Sequence, residues 1–234
     1  VRDRVIVSCC YSEDPRGRDY RFFLERLERS LDEFGKDADR LFWQKEFPPG
    51  SPPHMGIPYA FKYYAVKEAF RRGYRYVMWL DAGTQAIASI EVLWERIVEC
   101  GYALLLGTDS LGKWISDYAL KHFDYTRERA KEMKLAGGCL VGLDSQNAKA
   151  MEFFKIWGEI VKDRKLMMGA NRKPVSVGGA MRSLMLSDAD ESIVSMDPFV
   201  DGHRSDESCF SLIMDKLSMK PITYYDWTKI CITY

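Results

Sequence analysis

The most sharply placed reactive side chain in this sequence is a carboxylate. Asp81 ends an apolar run, Tyr76 to Leu80, and is followed by Ala82-Gly83-Thr84. A carboxylate delivered to a strand end can bind a hard divalent cation through oxygen. Such a cation can bridge two phosphates and stabilise a leaving group. The small residues after it let a ligand approach the backbone, although the same residues also suit an ordinary strand-ending turn. A second cluster is His203-Arg204-Ser205-Asp206-Glu207-Ser208, directly before an apolar helical pattern. Ser205, Asp206 and Glu207 suit a helix start on electrostatic grounds alone. A histidine and a guanidinium beside them add the means to bind a cation and a phosphate together. A third is Gly137-Gly138 before the apolar Cys139 to Leu143, where close backbone approach by a ligand or a plain turn would both use glycine. Lys62 and Lys67 lie on the helical pattern that precedes the Asp81 strand, where they can face a diphosphate or water.

The elements that must position these groups follow from periodicity. Arg4 to Cys10 alternates and is β-branched, a first strand. Asp19 to Phe34 has helical spacing, Leu41 to Gln44 is a short strand candidate, and Phe47 to Pro58 is too rich in Pro and Gly to be regular. A helix over Tyr59 to Arg72, stopped by Gly73, leads into the strand Tyr74 to Leu80. A helix over Ile90 to Cys100 leads into a strand Tyr102 to Leu106, which ends at Gly107-Thr108-Asp109. Short helices are expected over Ile115 to Phe123 and Thr126 to Lys134, then a strand from Gly137 to Leu143 and an amphipathic helix from Ala148 to Val161. Arg164 to Gly179 reads as a loop or lid, Ser192 to Phe199 as a strand, Asp206 to Leu217 as a helix, and Ile222 to Tyr234 as a strand-like aromatic tail. Strands alternating with helices argue an α/β fold with a mostly parallel central sheet flanked by helices. In such sheets ligands bind at the carboxyl ends of strands, here after Cys10, at Asp81 and at Asp109.

The 234 residues suit one domain, 1–234, with 47% hydrophobic and 29% charged residues, enough for a core. Lys plus Arg equals Asp plus Glu at 34 each, which disfavours a protein working mainly as a cation toward nucleic acid or membrane. Basic clusters at Arg16 to Arg21 and Lys162 to Lys173 still leave room for a local groove. No apolar run approaches the roughly 20 residues of a membrane span. The start, VRDRVIVSCC, is charged and enters a strand pattern, so it does not read as a signal peptide, and the missing initiator Met reads as a removed tag or leader. The six cysteines form no C-x-x-C pair and sit mostly in apolar patterns, as reduced buried thiols do. The fingerprints of Rossmann dehydrogenases, P-loop NTPases, α/β-hydrolases and zinc deaminases are absent.

Taken in order, these segments resemble the GT-A glycosyltransferases, and among them a diffuse set related to the glycogenin-like group. RVIVSCC followed by Tyr11 is placed like the family's nucleobase-holding strand and loop. Lys62 and the strand ending at Asp81 are similar to the segment that ends in "LDADT". LAGGCLVGL, Leu135 to Leu143, is similar to the "NAGV" strand, and HRSDES, His203 to Ser208, to the "DQ" helix start. The chain departs from the pattern at Gly83, which replaces the second acid of D-x-D, at Leu135, which replaces Asn, and in having no histidine after His203.

The resemblance implies transfer of a sugar, hexosyl or pentosyl, from a nucleoside diphosphate sugar, foremost a UDP-sugar, to an acceptor hydroxyl on a glycan, a protein or a modified DNA base. It implies a nucleotide-binding half, 1–110, and an acceptor and sugar half, 111–234. Cys10, Tyr11, Lys62, Asp81, Gly137, Gly138 and Arg204 would hold the donor. Asp81 and His203 would hold Mn2+ or Mg2+. Asp206 would orient the donor sugar or act as base, with Asp109 as a catalytic carboxylate on the acceptor side, Asp117 in reserve and Trp114 stacking. The basic stretch Lys162 to Lys173 would be a lid over the diphosphate. No membrane span and no obligate protein partner are expected, and a cytoplasmic setting, bacterial or viral, in the host cytoplasm if viral. Two other readings stay open: a non-catalytic relative that binds nucleotide or glycan, favoured by Gly83, and a nucleotidyltransferase, disfavoured by the acidic loop YSEDPRGR.

Overall fold

The computed structural model describes residues 3–11, 20–168 and 194–234. Six strands form the central sheet: β1 (Arg4–Cys9), β2 (Asp39–Trp43), β3 (Tyr76–Leu80), β5 (Tyr102–Ser110), β6 (Lys134–Asp144) and β7 (Ile222–Thr223). Their order is β2-β1-β3-β6-β5-β7. β1 pairs in parallel with β2 and β3, and β5 with β7, while β6 runs antiparallel to both of its neighbours. Five strands therefore share one direction, and the mostly parallel α/β expectation holds. β6 comes from the second half of the chain yet lies between β3 and β5, so the two halves interleave in one sheet.

Period-two alternation decides what each sheet face meets. Val5, Val7, Val77 and Trp79 point to one face, packed with Val66, Ala69, Phe153, Trp157 and Phe210. Those partners come from the helices α2 (Ala60–Arg71), α6 (Ala148–Ile160) and α8 (Ser205–Lys216). Ile6, Met78 and Leu80 point to the other face, against Leu24, Leu27, Leu31, Leu93 and Ile97. Those lie on α1 (Arg21–Phe34) and α3 (Glu91–Cys100). β1 and β3 are buried on both faces, which is why they read as continuous apolar runs.

The remaining described helices are α4 (Asp117–Phe123), α5 (Arg127–Glu132), the single turn α7 (Arg164–Met167) and α9 (Tyr224–Trp227). One short strand was not legible in the sequence, β4 (Thr84–Ala86); it pairs antiparallel with β8 (Cys231–Thr233), which falls within the strand-like tail expected over Ile222 to Tyr234. Four expectations need correction. β5 runs on through Gly107-Thr108-Asp109 to Ser110, because that stretch keeps pairing with β6 across a bulge. β6 begins at Lys134, earlier than the expected Gly137, so Gly137 and Gly138 lie within the strand instead of at its start. Residues 194–199 of the strand expected at Ser192 to Phe199 form turns, and 192–193 lie outside the described residues. The tail is broken by α9 because the Thr223 hydroxyl caps it, accepting from the Asp226 N–H.

The six cysteines form no disulfide, as expected for reduced thiols. Among the described residues no helix is long and apolar enough to cross a membrane.

Candidate active site

The strand order 2-1-3 puts a topological switch between β1 and β3, and a crevice opens outside the carboxyl ends of those strands. A cavity of about 300 Å³ lies there. Cys9, Cys10 and Tyr11 line it from the end of β1, and Trp79, Asp81, Ala82 and Gly83 from the end of β3. Because β6 is reversed, its early residues reach the same end of the sheet, and the Asp81 N–H donates to the Cys139 carbonyl at 3.1 Å.

Behind the cavity sits a buried ion cluster centred on Lys62. Its ammonium lies 2.9 Å from the Gly138 carbonyl oxygen, 3.0 Å from Asp206 Oδ2 and 3.2 Å from Asp81 Oδ1. An ammonium has three N–H donors, and three acceptors surround this one. The Lys62 and Asp206 side chains are 4% and 3% exposed, while Asp81 is 33% exposed and faces the cavity. Asp81 Oδ1 also accepts from Trp79 Nε1 at 2.7 Å, whereas its Oδ2 has no protein partner among the described residues. Glu207 completes the cluster: Oε1 accepts from the Gly138 N–H at 3.3 Å and Oε2 pairs with Arg204 at 3.4 Å. A Cβ on Gly138 would lie 3.0 Å from Lys62 Nζ and 3.1 Å from Asp206 Oδ2, so this glycine makes room for the ion pair.

Burial by itself would lower the Lys62 pKa, but Asp206, Asp81 and Glu207 together outweigh it and raise it. Burial raises Asp206 above the usual carboxylate range despite Lys62. Burial, then the Asp206 charge, raises Glu207. Two residues next to the cluster hold left-handed backbone without being glycine, Tyr59 at φ 59° before α2 and Ser205 at φ 43° opening α8. Such conformations cost about 1–3 kcal/mol each and persist where surrounding structure enforces them.

Of the residues nominated from sequence, Cys10, Tyr11, Lys62 and Asp81 line the cavity. Gly138 and Asp206 stand behind Lys62. Gly137 belongs to packing, since a Cβ there would run into the Leu105 side chain at 2.6 Å. Arg204 stacks 4.5 Å over Trp114 and does not line the cavity, which removes Trp114 as a free stacking platform. Asp109 is exposed on the extended β5 and lies outside the cavity. Asp117 is paired with Arg127, and Lys67 is exposed on α2 beside Tyr64. His203 is buried with both ring nitrogens committed: Nδ1 accepts from the Ser116 N–H at 3.2 Å, and Nε2 lies 2.7 Å from the Leu166 carbonyl oxygen. It ties two loops together and has no lone pair left for a metal. Of the basic stretch at Lys162 to Lys173, Lys162 pairs with Glu159 and Arg164 donates to the Gly56 carbonyl. Residues 169–173 of that stretch, and Arg16 and Arg18 of the other basic cluster, lie outside the described residues.

Sequence reasoning missed His54, Tyr59, Phe61, Thr233 and Tyr234, all of which line the cavity. Only His54 carried any signal, as a lone imidazole in the Pro-rich loop. The others arrive through β8 and the start of α2, by contacts that no local spacing encodes.

The donors present limit how a divalent cation could be held. Gly83 cannot be replaced by an acid in place, since a Cβ there would stand 2.9 Å from the Tyr234 carbonyl oxygen. His203 is spent, and among the described residues no group of three or more His, Cys, Asp or Glu is arranged to hold a metal. Asp81 remains. One carboxylate suits Mg2+ or Mn2+ held mainly by phosphate oxygens and water.

No family model and no curated protein matches the sequence. In three dimensions the chain is similar to mouse xyloside xylosyltransferase 1 in its apo form, at 11% identity and a TM-score of 0.47, over 94% of this chain and 84% of that one. It is similar to a glycosyltransferase involved in the glycosylation of the major capsid of PBCV-1, at 9% identity and a TM-score of 0.38, over 68% and 66%. It is also similar to A197 from STIV, at 12% identity and a TM-score of 0.33, over 65% and 67%.

Proposed function

We propose that this chain is a glycosyltransferase that moves a sugar from a nucleoside diphosphate sugar, foremost a UDP-sugar, to an acceptor hydroxyl. The observation that carries the reading is the meeting of Lys62, Asp81 and Asp206, nominated from separate segments, beside a ligand-sized cavity at the sheet's switch point. The motif order of the GT-A resemblance supports it.

In this reading the aromatic walls Tyr11, Phe61 and Trp79 enclose the donor and exclude water. Asp81 would hold a divalent cation that accompanies the diphosphate, and such a cation would supply charge stabilisation for the departing diphosphate. Lys62 fixes the Asp81 carboxylate from behind. Asp206 acts as a positioning residue: it is buried behind Lys62 and orients the ammonium, so it is not the base that touches the acceptor. The bond from the sugar's anomeric carbon to the diphosphate breaks, the bond to the acceptor oxygen forms, and the hydroxyl proton leaves with the outgoing groups or water. The acceptor, as a glycan, a protein or a modified DNA base, and a cytoplasmic setting remain part of this proposal.

The test is thermal unfolding with nucleoside diphosphates and nucleotide sugars, each with manganese or EDTA. Ligand at 100 times its dissociation constant adds about 2.7 kcal/mol, a rise of several degrees. A shift with one diphosphate, larger with manganese, supports the reading, and no shift with any nucleotide overturns it. A second reading, binding without turnover, is favoured by the closure of Gly83 against Tyr234. Release of the nucleoside diphosphate from a bound nucleotide sugar in the presence of acceptor glycans would exclude it.

A further inference from the structure

His54 lies in the loop before α2, partly buried, and lines the cavity beside Lys62. Its Nδ1 accepts the backbone N–H of Tyr59 at 3.1 Å. The ring packs edge-on to Tyr59, with centroids 4.9 Å apart at 84°, and against Phe61 at 5.5 Å. Nε2 has no hydrogen-bond partner among the described residues. Nothing in the ion cluster uses this side chain.

A ring nitrogen that accepts a hydrogen bond carries no proton, so the single proton of neutral imidazole sits on the other nitrogen. Tyr59, whose N–H donates to Nδ1, is also the left-handed residue before α2, at φ 59° and ψ 4°. Its hydrogen bond fixes the tautomer of the histidine in front of it. Burial first, and the Lys62 ammonium second, push the His54 pKa down to about 4, which keeps the ring neutral.

We infer that His54 is a fixed, uncharged N–H donor in the cavity wall, and that its Nε2–H reads an acceptor oxygen of the bound nucleotide sugar. With its proton on Nε2, the ring can neither take a proton from an acceptor hydroxyl nor ligate a metal through that atom. The oxygen it reads belongs to the diphosphate or to the transferred sugar, and this extends the function proposed above.

The experiment has two parts, both on the full chain. Nitrogen-15 NMR of the histidine rings in the free protein at neutral pH reports the tautomer without any ligand. The expected result is a neutral ring protonated at Nε2, lost when His54→Phe removes the signal. A proton on Nδ1 or a charged ring overturns the proposal. Calorimetry then compares binding of a nucleoside diphosphate and of its sugar conjugate to wild type, His54→Phe and His54→Gln. Phe keeps the ring volume without the donor, and Gln keeps an N–H. Loss of one hydrogen bond predicts about tenfold weaker binding for His54→Phe, largely recovered in His54→Gln, compared at matched folded fraction because His54→Phe also removes the acceptor of the Tyr59 N–H. A loss shared by both ligands places the contact on the diphosphate, and a loss confined to the conjugate places it on the sugar. Wild-type affinity in His54→Phe overturns the role of His54 while leaving the glycosyltransferase reading intact. No nucleotide binding by wild type overturns that reading and the ligand assigned to His54 with it.

Discussion

The carbonyl oxygen of Tyr234 stands 2.9 Å from where a Cβ on Gly83 would be, and the Tyr234 N–H donates to the Gly83 carbonyl at 3.1 Å. Position 83 therefore has no room for a side chain in this backbone arrangement. The last strand, β8, pairs with β4 immediately after Asp81 and fills the place an acidic side chain would need. Arg26 locks the contact, donating to the Gly83 carbonyl at 3.1 Å with its guanidinium 3.6 Å over the Tyr234 ring.

Gly83→Asp is expected to destabilise the protein without creating a metal site, because its Cβ would meet the Tyr234 carbonyl oxygen at 2.9 Å where β8 is held on β4. Overpacking of this kind costs about 1–3 kcal/mol, read as a lower melting temperature. An unchanged melting temperature together with a new stabilisation by manganese would show that β8 yields.

Lys62→Met should leave Asp206 buried without its counterion. Removing one partner of a buried pair costs about 3–5 kcal/mol. The double variant Lys62→Met with Asp206→Asn should recover a large part of that loss, since both charges go together. Denaturant midpoints of the four proteins in the cycle measure this, and additive losses would mean that the pair is not coupled.

Asp81→Asn and Asp109→Asn should differ sharply. Asp81 lines the cavity, and its loss is expected to reduce sugar transfer at least a hundredfold, on the order of 2.7 kcal/mol. Asp109 is exposed away from the cavity, and its loss should leave transfer within about twofold, a negligible barrier change by the same relation. Steady-state rates at matched folded fraction decide, and equal losses would move the reaction centre toward β5.

The pH dependence of stability should carry the sign of the buried acids. Burial, then Asp206, raises Glu207 above its unfolded value. A raised acid contributes stability that is complete below the unfolded carboxylate range, about pH 4, and that is lost as pH rises through the folded value. Glu207→Gln should therefore lose less stability than wild type as pH rises above about 4. Glu68 has the opposite sign: hydrogen bonds from Arg71 and Arg72 lower it to about 2, so its contribution is present above its unfolded value and lost as pH falls through about 2. Glu68→Gln should weaken the protein at neutral pH and not below about pH 2. Urea midpoints across pH measure both, and parallel curves for Glu207→Gln and wild type would contradict the burial of that acid.

Much of the architecture was legible in order and type. Val5 to Val7 and Val77 to Leu80 read as buried strands because both sheet faces are covered, and Ala65, Val66 and Ala69 recur at helical spacing because one stripe of α2 packs on that sheet. The position of Asp81 at the cavity was legible because a polar group ending an apolar strand marks a strand's carboxyl end. Those are local patterns, set by the repeat of the backbone. His203 misled because an imidazole beside acids has the same spacing whether it binds metal or joins two loops; only the positions of Ser116 and Leu166, far away in sequence, commit its nitrogens. Asp109 misled because β5 continues past its apolar run, paired with the start of β6. The sequence by itself determined most of the segments that become strands and helices and that Lys62, Asp81 and Asp206 bear ionisable groups. Only the tertiary structure decided that one ammonium would satisfy both carboxylates, that Tyr234 would close Gly83, and that Tyr59 would turn His54 into a donor. Each of these depends on distances between segments many residues apart, and hydrogen bonds and steric exclusion act over those distances, not along the chain.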